Sequence, residues 1–341
     1  MGERLCVVVL GYGDEPLLLD CLQAITRQLT GLDELVLVDN GIPSQLRRAA
    51  AELGAIVLGD GRNTGFAGGC NIAAAFTEAP VLVFVNSDAV LRPGALSALV
   101  APLADLAVGV VGGCLRLADQ PDLVNSVGNP VQYLGFTWAG HCGEPATEHD
   151  EATSVAVATG GLFAIRHDTW DKLGGFEQAY FAYHEDTDLS LRTWLSGREV
   201  RVEPAAIADH AYEFSRNPDK LYLSERNRLI TVFCDYPAPL LRRILPVLLL
   251  VELPLTAMAF VSGWGRQKIA AWWWVLRRWR WLIRRRDDVQ RDVAMTAAEF
   301  AALLTAEISP PMVASPPGMG ALNAALRRHW RWVRRSLASG V

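Results

Sequence analysis

Short apolar runs, rich in β-branched residues, recur through the first third of the chain and alternate with segments of helical spacing. The runs lie at residues 5–10, 34–39, 55–58 and 81–85. Runs of this length and composition are typical of strands that are buried on both faces. Residues 17–25, 45–53 and 69–76 between them have the apolar spacing of helices. The alternation predicts βαβ units and an α/β fold with a mostly parallel sheet flanked by helices.

The pattern changes twice farther along the chain. Residues 108–165 are strand-like but irregular, and helical spacing returns near Glu185 and over residues 221–233. Prolines at Pro237 and Pro239 then mark a boundary. We predict a first domain over residues 1–235, in halves 1–105 and 106–235, apolar and Trp/Arg-rich helices over 236–308, and a linker with a basic helix over 309–341.

An apolar run at residues 244–265 contains a single charged residue, Glu252. The run is long enough to cross a bilayer, but Pro246 and Pro254 within it favour a break in the helix. Basic residues flank the run on both sides, and a single crossing would place one basic flank away from the cytoplasm, against the usual bias. We therefore expect a re-entrant or interfacial helix pair at the cytoplasmic face of a membrane rather than a full span.

Charge and tryptophan are distributed unevenly along the chain. From residue 241 onward there are 16 Lys and Arg against 6 Asp and Glu, and the totals of 32 and 37 leave 16 and 31 before it. Eight of the 11 tryptophans also follow residue 241. This composition beside an apolar run is typical of a membrane interface with anionic lipids. Aromatic and basic residues also bind RNA, but the apolar run favours lipid, so we expect no nucleic acid.

The cysteines and the N-terminus bear on the compartment. The six cysteines are scattered without a Cys-x-x-Cys pair, which favours reduced thiols. Residues 5–10 are too short for the core of a signal peptide, so we expect no export. Both features predict a protein that stays on the cytoplasmic side.

Polar residues follow the predicted strands, at the edge where open α/β sheets bind their ligands. Tyr12 follows the first strand, Asp39 ends the second, and Asn86-Ser87-Asp88 follows the fourth. A carboxylate such as that of Asp88 is a hard oxygen ligand for Mg²⁺ or Mn²⁺. An Asp in this position also caps helices, so the tripeptide alone decides little.

Three carboxylates lie within four residues at a predicted helix start, in the segment 184–188. Helix capping accounts for acidic residues in a first turn. The flanking Phe181, Tyr183 and Leu189 nevertheless indicate a partly buried site. Crowded carboxylates raise the pKa of one member toward the value that a general base needs.

Taken in order, these segments resemble the family 2 inverting glycosyltransferases with the GT-A (Rossmann-like) fold, especially the bacterial branch of rhamnosyltransferases that act on polyprenyl-diphosphate sugars. The matching segments are residues 36–41 (VLVDNG), 63–71 (NTGFAGGCN), 86–88 (NSD), 173–177 (LGGFE) and 181–192 (FAYHEDTDLSLR). With their flanks they cover about two thirds of the chain in the family's order. The resemblance makes residues 1–105 the nucleotide-binding half and 106–235 the acceptor and catalytic half.

The resemblance implies a set of donor-binding residues. They are Tyr12 and Asp39 for the nucleobase and ribose, Asn63, Gly65, Phe66 and Asn71 in a loop closing over the nucleotide, and Asp88 at the diphosphate. Arg226 is a further candidate, with Arg216 and Arg228, because guanidinium groups clamp diphosphates. A solvated helix face accounts for these arginines equally well.

The resemblance also assigns catalysis, the metal and the acceptor. Asp186 would be the general base, with Glu185 beside it shaping the acceptor site. Asp88 would hold Mg²⁺ or Mn²⁺ with His210 as second ligand, and a single carboxylate in the motif predicts modest metal affinity. Glycines in the segment Thr159-Gly160-Gly161 would let an acceptor sugar approach the backbone, although a tight turn explains them too.

These roles predict a metal-dependent inverting transfer of a sugar from a nucleotide-diphosphate donor. We expect rhamnose from dTDP-rhamnose, moved to a hydroxyl of a lipid-linked saccharide in cell-envelope polysaccharide synthesis. Galactofuranosyl or other hexosyl transfer from a UDP-sugar is an alternative, as is a non-catalytic membrane-bound protein that binds sugar nucleotides. A dinucleotide-dependent oxidoreductase is disfavoured, because Pro16 stands where the fingerprint requires a glycine. The sequence leaves room for a homo-oligomer.

Overall fold

The computed structural model describes residues 3–211, 219–311 and 318–339. Its strands are β1 (Leu5–Gly11), β2 (Glu34–Asp39), β3 (Ile56–Leu58), β4 (Val81–Asn86), β5 (Ala89–Leu91), β6 (Val108–Leu117), β7 (Gln120–Ser126), β8 (Val131–Gln132), β9 (Thr153–Ser154), β10 (Leu162–Arg166), β11 (Glu199–His210) and β12 (Leu304–Thr305). Its helices are α1 (Leu18–Thr26), α2 (Ser44–Glu52), α3 (Gly65–Phe76), α4 (Ala95–Val100), α5 (His167–Leu173), α6 (Glu185–Leu195), α7 (Lys220–Asp235), α8 (Ala238–Val261), α9 (Gly265–Arg277), α10 (Trp279–Val289), α11 (Ala297–Ala302) and α12 (Met319–Ala338).

The chain forms two compact units. The first lies within residues 1–129, 139–193 and 198–213, and the second within 130–138, 194–197 and 214–341. The first unit holds the large sheet with α1 to α5. The second holds α7 to α12 and the short pair β8–β12, which is parallel.

The large sheet runs in the order β3-β2-β1-β4-β10-β6-β11-β5. Its first four strands are parallel, and so is the pair β6–β11. Strand β10 is antiparallel to both of its neighbours, β4 and β6. The predicted α/β fold with a mostly parallel sheet is therefore confirmed. Because the strand order reverses at β1, the carboxyl ends of β1 and β4 flank a crevice that suits a ligand.

Burial explains why the predicted strands and helices form. The apolar residues of β1 and β4 are buried on both faces, and α1 packs Leu18, Cys21, Leu22 and Ile25 into the same core. The predicted bounds of α1, α2 and α7 differ from the observed ones by only one or two residues. Helix α3 begins four residues earlier than predicted, at Gly65, because the glycines that blurred its apolar spacing are themselves buried.

Helix α8 corrects one expectation from the sequence. It runs unbroken over 24 residues through Pro246 and Pro254, so the expected break at the prolines is wrong. Both prolines are exposed, and so are Arg242 and Leu250, the residues whose carbonyls lose an N–H donor. Among the described residues α8 is the one helix long and apolar enough to cross a membrane, and 28% of its most apolar 18-residue window is buried.

Candidate active site

Asp88 and His210 meet at one edge of the sheet. Asp88 follows β4, and His210 ends β11, where it pairs with Ala89 of β5. The ladder therefore sets His210 opposite the residue that follows Asp88, and His210 Nε2 lies 3.1 Å from Asp88 Oδ1. The two residues predicted to hold a metal are thus brought together by strand pairing.

Asn125, at the end of β7, holds the other side of the imidazole. Its Oδ1 lies 2.8 Å from His210 Nδ1, and both side chains are buried. With the amide oxygen accepting from Nδ1–H, Nε2 presents its lone pair toward Asp88. A second hydrogen bond of this kind fixes the tautomer of most histidines that bind metals. The sequence carried no signal for Asn125, since its role depends on how β7 folds back along β6.

The donor set suits a divalent cation. A carboxylate oxygen and an imidazole nitrogen facing each other at 3.1 Å are both electron-pair donors, so a proton or a cation must lie between them. Two ligands at right angles around octahedral Mg²⁺, each at about 2.1 Å, are about 3 Å apart. The spacing of Asp88 and His210 therefore suits a divalent cation, and the role of the two residues as ligands of Mg²⁺ or Mn²⁺ stays a prediction.

Asp186 is linked to the same edge through two glycines. Its Oδ2 accepts a hydrogen bond from the Gly160 amide at 2.9 Å, and the Gly161 carbonyl accepts one from the Asn86 amide at 2.9 Å. Asn86 lies two residues before Asp88. The predicted base, the predicted acceptor glycines and the predicted metal motif thus form one continuous set of contacts. Thr159 lies half-buried beside them.

Glu185 and Asp186 differ in their environment. Burial raises the pKa of Glu185 well above its ordinary range, and the neighbouring Asp186 raises it further. Among the described residues the buried Glu185 Oε2 has no hydrogen-bond partner. Burial also raises the pKa of Asp186, but the Gly160 and Thr187 amides oppose this by stabilising its carboxylate. Asp186 is therefore the member of the pair that more readily carries the charge a base needs.

The third carboxylate of the acidic segment has a structural role. Asp188 is fully buried and pairs with Arg192, one turn later on α6. Arg192 also donates to the carbonyls of Leu173 at 2.7 Å and Gly175 at 2.9 Å. The pair anchors α6 to the preceding loop and leaves Asp186 and Glu185 as the residues available for chemistry.

The backbone before α6 is strained, which the sequence did not indicate. Phe181, Tyr183 and His184 have positive φ angles of 64°, 67° and 67°. Non-glycine residues adopt this region rarely, and such strain gathers at functional sites. The Phe181 carbonyl accepts from the Ala67 amide at 3.1 Å, and a Cβ on Gly65 would lie only 2.4 Å from the same oxygen. The strained loop is therefore pressed onto the first turn of α3.

The predicted donor residues line the ends of β1 and β2. Tyr12 is 60% exposed. The Asp39 carboxylate accepts from the Gly41 and Ile42 amides and pairs with Arg47 at 2.9 Å. These bonds shape the turn after β2, and a contact of Asp39 with ribose stays a prediction.

Asn40, which lies in the matching segment 36–41 but received no role from the sequence, ties this turn to the next loop. Its Oδ1 accepts from the Thr64 amide at 2.7 Å, and its Nδ2 donates to Asn63 Oδ1 at 3.0 Å. Asn63 Oδ1 also accepts from the Gly65 amide. Asn63 and Gly65 are therefore placed by Asn40 at the start of α3.

Asn71 and Phe66 face the loop before α6. The Asn71 side chain donates to the Phe176 carbonyl at 2.8 Å and accepts from its amide at 3.0 Å. The ring of Phe66 lies 5.9 Å from that of Phe176. Asn71 is thus engaged in holding the loop, and direct donor contacts by Asn71 and Phe66 stay predictions.

Of the arginines predicted to clamp a diphosphate, the two described ones lie buried in the second unit. Arg228 is buried between Glu225 and Glu252 and donates to the Leu134 carbonyl, so it is committed to the second unit. Arg226 is also buried there and lies over the rings of Tyr222 and Trp274. Its donor role stays a prediction. Arg216 lies outside the described residues.

Comparison with known proteins agrees with this geometry. Residues 6–174 match the model of the family described as Glycosyl transferase family 2. Polypeptide N-acetylgalactosaminyltransferase 8 of Drosophila melanogaster is 25% identical over 148 residues, which cover 41% of this chain and 25% of that protein. Rhamnosyltransferase WbbL of Escherichia coli (strain K12) is 32% identical over 76 residues, or 22% of this chain and 28% of that protein. The chain spans about a quarter of the length of these two relatives.

The fold has a solved counterpart. The crystal structure of GalNAc-T7 with UDP, GalNAc and Mn²⁺ aligns with a TM-score of 0.59 at 15% identity, covering 69% of this chain and 48% of that chain. The family match over residues 6–174 supports a family 2 glycosyltransferase, and the structural likeness shows the GT-A fold. The predicted enzyme class, a glycosyltransferase, is confirmed, whereas the rhamnosyltransferase branch stays a prediction.

Proposed function

We propose that the chain transfers a sugar from a nucleoside-diphosphate donor to an acceptor hydroxyl, with inversion at the anomeric carbon. The observation that carries the proposal is the set of contacts from Asp186 through Gly160, Gly161 and Asn86 to Asp88 and His210. It supports the proposal because the proposed base and the two proposed metal ligands are linked along one edge of the sheet. Residues 1–105 would hold the nucleotide, and residues 106–235 would hold the acceptor.

Each residue of this set has a defined task. Asp186 removes the proton of the acceptor hydroxyl as the oxygen attacks, and the Gly160 amide keeps its carboxylate aimed. Burial raises the pKa of Glu185, which limits the repulsion between the two neighbouring carboxylates. Asp88 and His210 would hold Mg²⁺ or Mn²⁺, which supplies positive charge for the departing diphosphate.

Replacement of Asp186 tests the chemical step. Asp186→Asn keeps the size of the side chain and removes the base, so turnover should fall about a hundred- to ten-thousandfold. Donor binding, measured by calorimetry with the nucleoside diphosphate, should stay unchanged. Glu185→Gln is the matched control and should retain most of the turnover. Turnover near that of the wild type in Asp186→Asn would show that Asp186 is not the base. If not even the wild type released nucleoside diphosphate, a non-catalytic binding protein would be favoured.

The identity of the donor sugar and its nucleotide is a separate part of the proposal. Rhamnose from dTDP-rhamnose is favoured by the local likeness to a rhamnosyltransferase. A UDP-sugar is the second candidate, since GalNAc-T7 was solved with UDP, GalNAc and Mn²⁺. Calorimetry with dTDP-rhamnose, UDP-galactofuranose, UDP-GalNAc and a GDP-sugar, each with Mg²⁺ or Mn²⁺, separates the candidates. Preference for a UDP-sugar would exclude the rhamnosyl assignment.

We also propose that the second unit attaches the enzyme to the cytoplasmic face of a membrane, where a lipid-linked saccharide would be the acceptor. Of the large apolar side chains that are exposed, six lie on α8: Leu249, Leu250, Leu253, Met258, Phe260 and Val261. Glu252, the only charge in the apolar run, is turned inward against Arg228 and Lys268. The exposed face of α8 between residues 249 and 261 is therefore uncharged, as an interfacial helix requires.

A further inference from the structure

A cavity of the second unit combines arginines with aromatic rings. It lies between α7 and α9, has a volume of about 490 Å³, and is lined by Tyr222, Ala270, Trp273, Trp274, Arg277 and Arg278. Neither the metal pair nor Asp186 belongs to this lining. The side chains suit an anion that also has an apolar part.

Guanidinium groups stack on the faces of the tryptophan rings in this cavity. Arg278 lies 5.0 Å from the ring centre of Trp274, and Arg277 lies 5.6 Å from that of Trp273. A guanidinium that stacks on a ring keeps its N–H donors free in its own plane for an anion. Two such groups on neighbouring residues form a site for a phosphate, which takes donors in a forked arrangement.

The positive charge at the cavity is not neutralised by its neighbours. Arg277 and Arg278 are exposed and, within the described part of the chain, have no carboxylate partner. The nearby acids Glu225 and Glu252 are already paired, since both contact Arg228 and Lys268. The cavity therefore presents net positive charge at a site that aromatic rings partly shield from water.

An exposed apolar stripe continues from the cavity along α9. Ile269, Trp273 and Leu276 are 50%, 57% and 60% exposed and lie on one helix face at intervals of four and three residues. Helix α8, with its uncharged outer face, packs beside α9. A soluble anion would gain nothing from this stripe, whereas the chains of a lipid would cover it.

We propose that this cavity binds the phosphate head group of an anionic membrane lipid, with α8 and α9 lying in the plane of the interface. The network of Arg228, Lys268, Glu225 and Glu252 supports the in-plane arrangement, because it ties the middle of α8 to α7 and α9. A spanning helix would have to take these charges with it into the hydrocarbon. The inference rests on the membrane attachment proposed above and is independent of the sugar-transfer proposal.

The test compares two variants of equal charge. The cavity variant carries Arg277→Gln and Arg278→Gln, and the control carries Arg280→Gln and Arg284→Gln on α10, which are exposed and outside the cavity lining. Sedimentation with phosphatidylcholine vesicles that contain phosphatidic acid measures binding. Loss of two surface charges should weaken vesicle binding by the same factor in either variant. The cavity variant should lose about tenfold more affinity than the control, because it also loses the forked phosphate contacts.

Further measurements keep the outcomes distinct. Titrations with inorganic phosphate and with UDP should give the same result for wild type and cavity variant, and circular dichroism should show equal folding. Equal loss of vesicle binding in both variants would overturn the proposal in favour of diffuse attraction. If inorganic phosphate displaced the protein from the vesicles, the cavity would be a site for soluble anions rather than for a lipid head group. Weakened UDP binding in the cavity variant would assign the cavity to the donor, whatever the outcome for sugar transfer.

Discussion

Replacement of Asn125 tests whether the metal pair is prearranged by the fold. Asn125→Ala removes the acceptor that faces His210 Nδ1 at 2.8 Å and leaves the rest of β7 in place. The imidazole could then rotate or change its tautomer, so that Nε2 would no longer be presented to a cation beside Asp88. We expect weaker Mn²⁺ binding with little change in the fold.

The size of the effect follows from the buried position. His210 is 5% exposed and Asn125 is 4% exposed, so water cannot readily replace the lost partner. A buried N–H without an acceptor costs about 1–3 kcal/mol. Loss of a hydrogen bond to a metal-binding histidine lowers metal affinity about 10- to 100-fold. The two estimates agree in scale, because tenfold in affinity corresponds to about 1.4 kcal/mol.

Calorimetric titration of Mn²⁺ in the presence of UDP measures this change. Asn129→Ala is the matched control, since Asn129 lies four residues away and accepts from the Ser126 hydroxyl at 2.8 Å instead. The double variant Asn125→Ala with His210→Ala should bind Mn²⁺ no more weakly than His210→Ala alone. Unchanged Mn²⁺ affinity in Asn125→Ala, or full additivity in the double variant, would refute the reasoning.

Three further changes probe the loop and the acidic segment. Gly65→Ala places a Cβ 2.4 Å from the Phe181 oxygen at a φ of +76°. The strain of about 1–2 kcal/mol and the clash should weaken UDP binding, measured by calorimetry. Unchanged binding would show that the loop before α6 can move aside at little cost. Asp188→Ala leaves Arg192 buried without its partner and should cost about 3–5 kcal/mol in urea unfolding, so a loss under 1 kcal/mol would contradict a structural role for the pair. Glu185 has a raised pKa in the folded state, so it destabilises the protein increasingly as pH rises above its ordinary value of 4.5. The gain in melting temperature of Glu185→Gln should therefore grow between pH 4 and pH 8, and a constant difference would place Glu185 in a solvated environment.

Much of the first unit was readable from the sequence because its central strands are buried on both faces. The apolar runs of β1, β2 and β4 are typical of such strands, whereas β3 lies at the edge of the sheet and exposes Ile56, against the expectation from its apolar run. The parallel order of βαβ units follows from the connecting helices. The polar residues at the ends of these strands were predictable for the same reason. The family resemblance could be read from the same segments, since Asp88 and Asp186 lie at fixed places relative to the strands and helix that carry them.

Other features were decided by contacts between distant segments. Strand β10 enters the sheet antiparallel between β4 and β6, and only this pairing brings Gly161 to Asn86. The register of β11 on β5 sets His210 beside Asp88, and the return of β7 supplies Asn125. No local pattern encodes such pairings, because each depends on a partner more than 30 residues away.

The tertiary structure also assigned charges that the sequence left ambiguous. Asp188 and Asp186 are alike in the sequence, yet Arg192 neutralises Asp188, while backbone amides hold Asp186 toward Gly160. Glu252 is a charged residue within an apolar run, yet it faces inward and leaves the outer face of α8 uncharged. A sequence determines which residues must be buried, but the partner that makes burying a charge tolerable is chosen only when the chain folds.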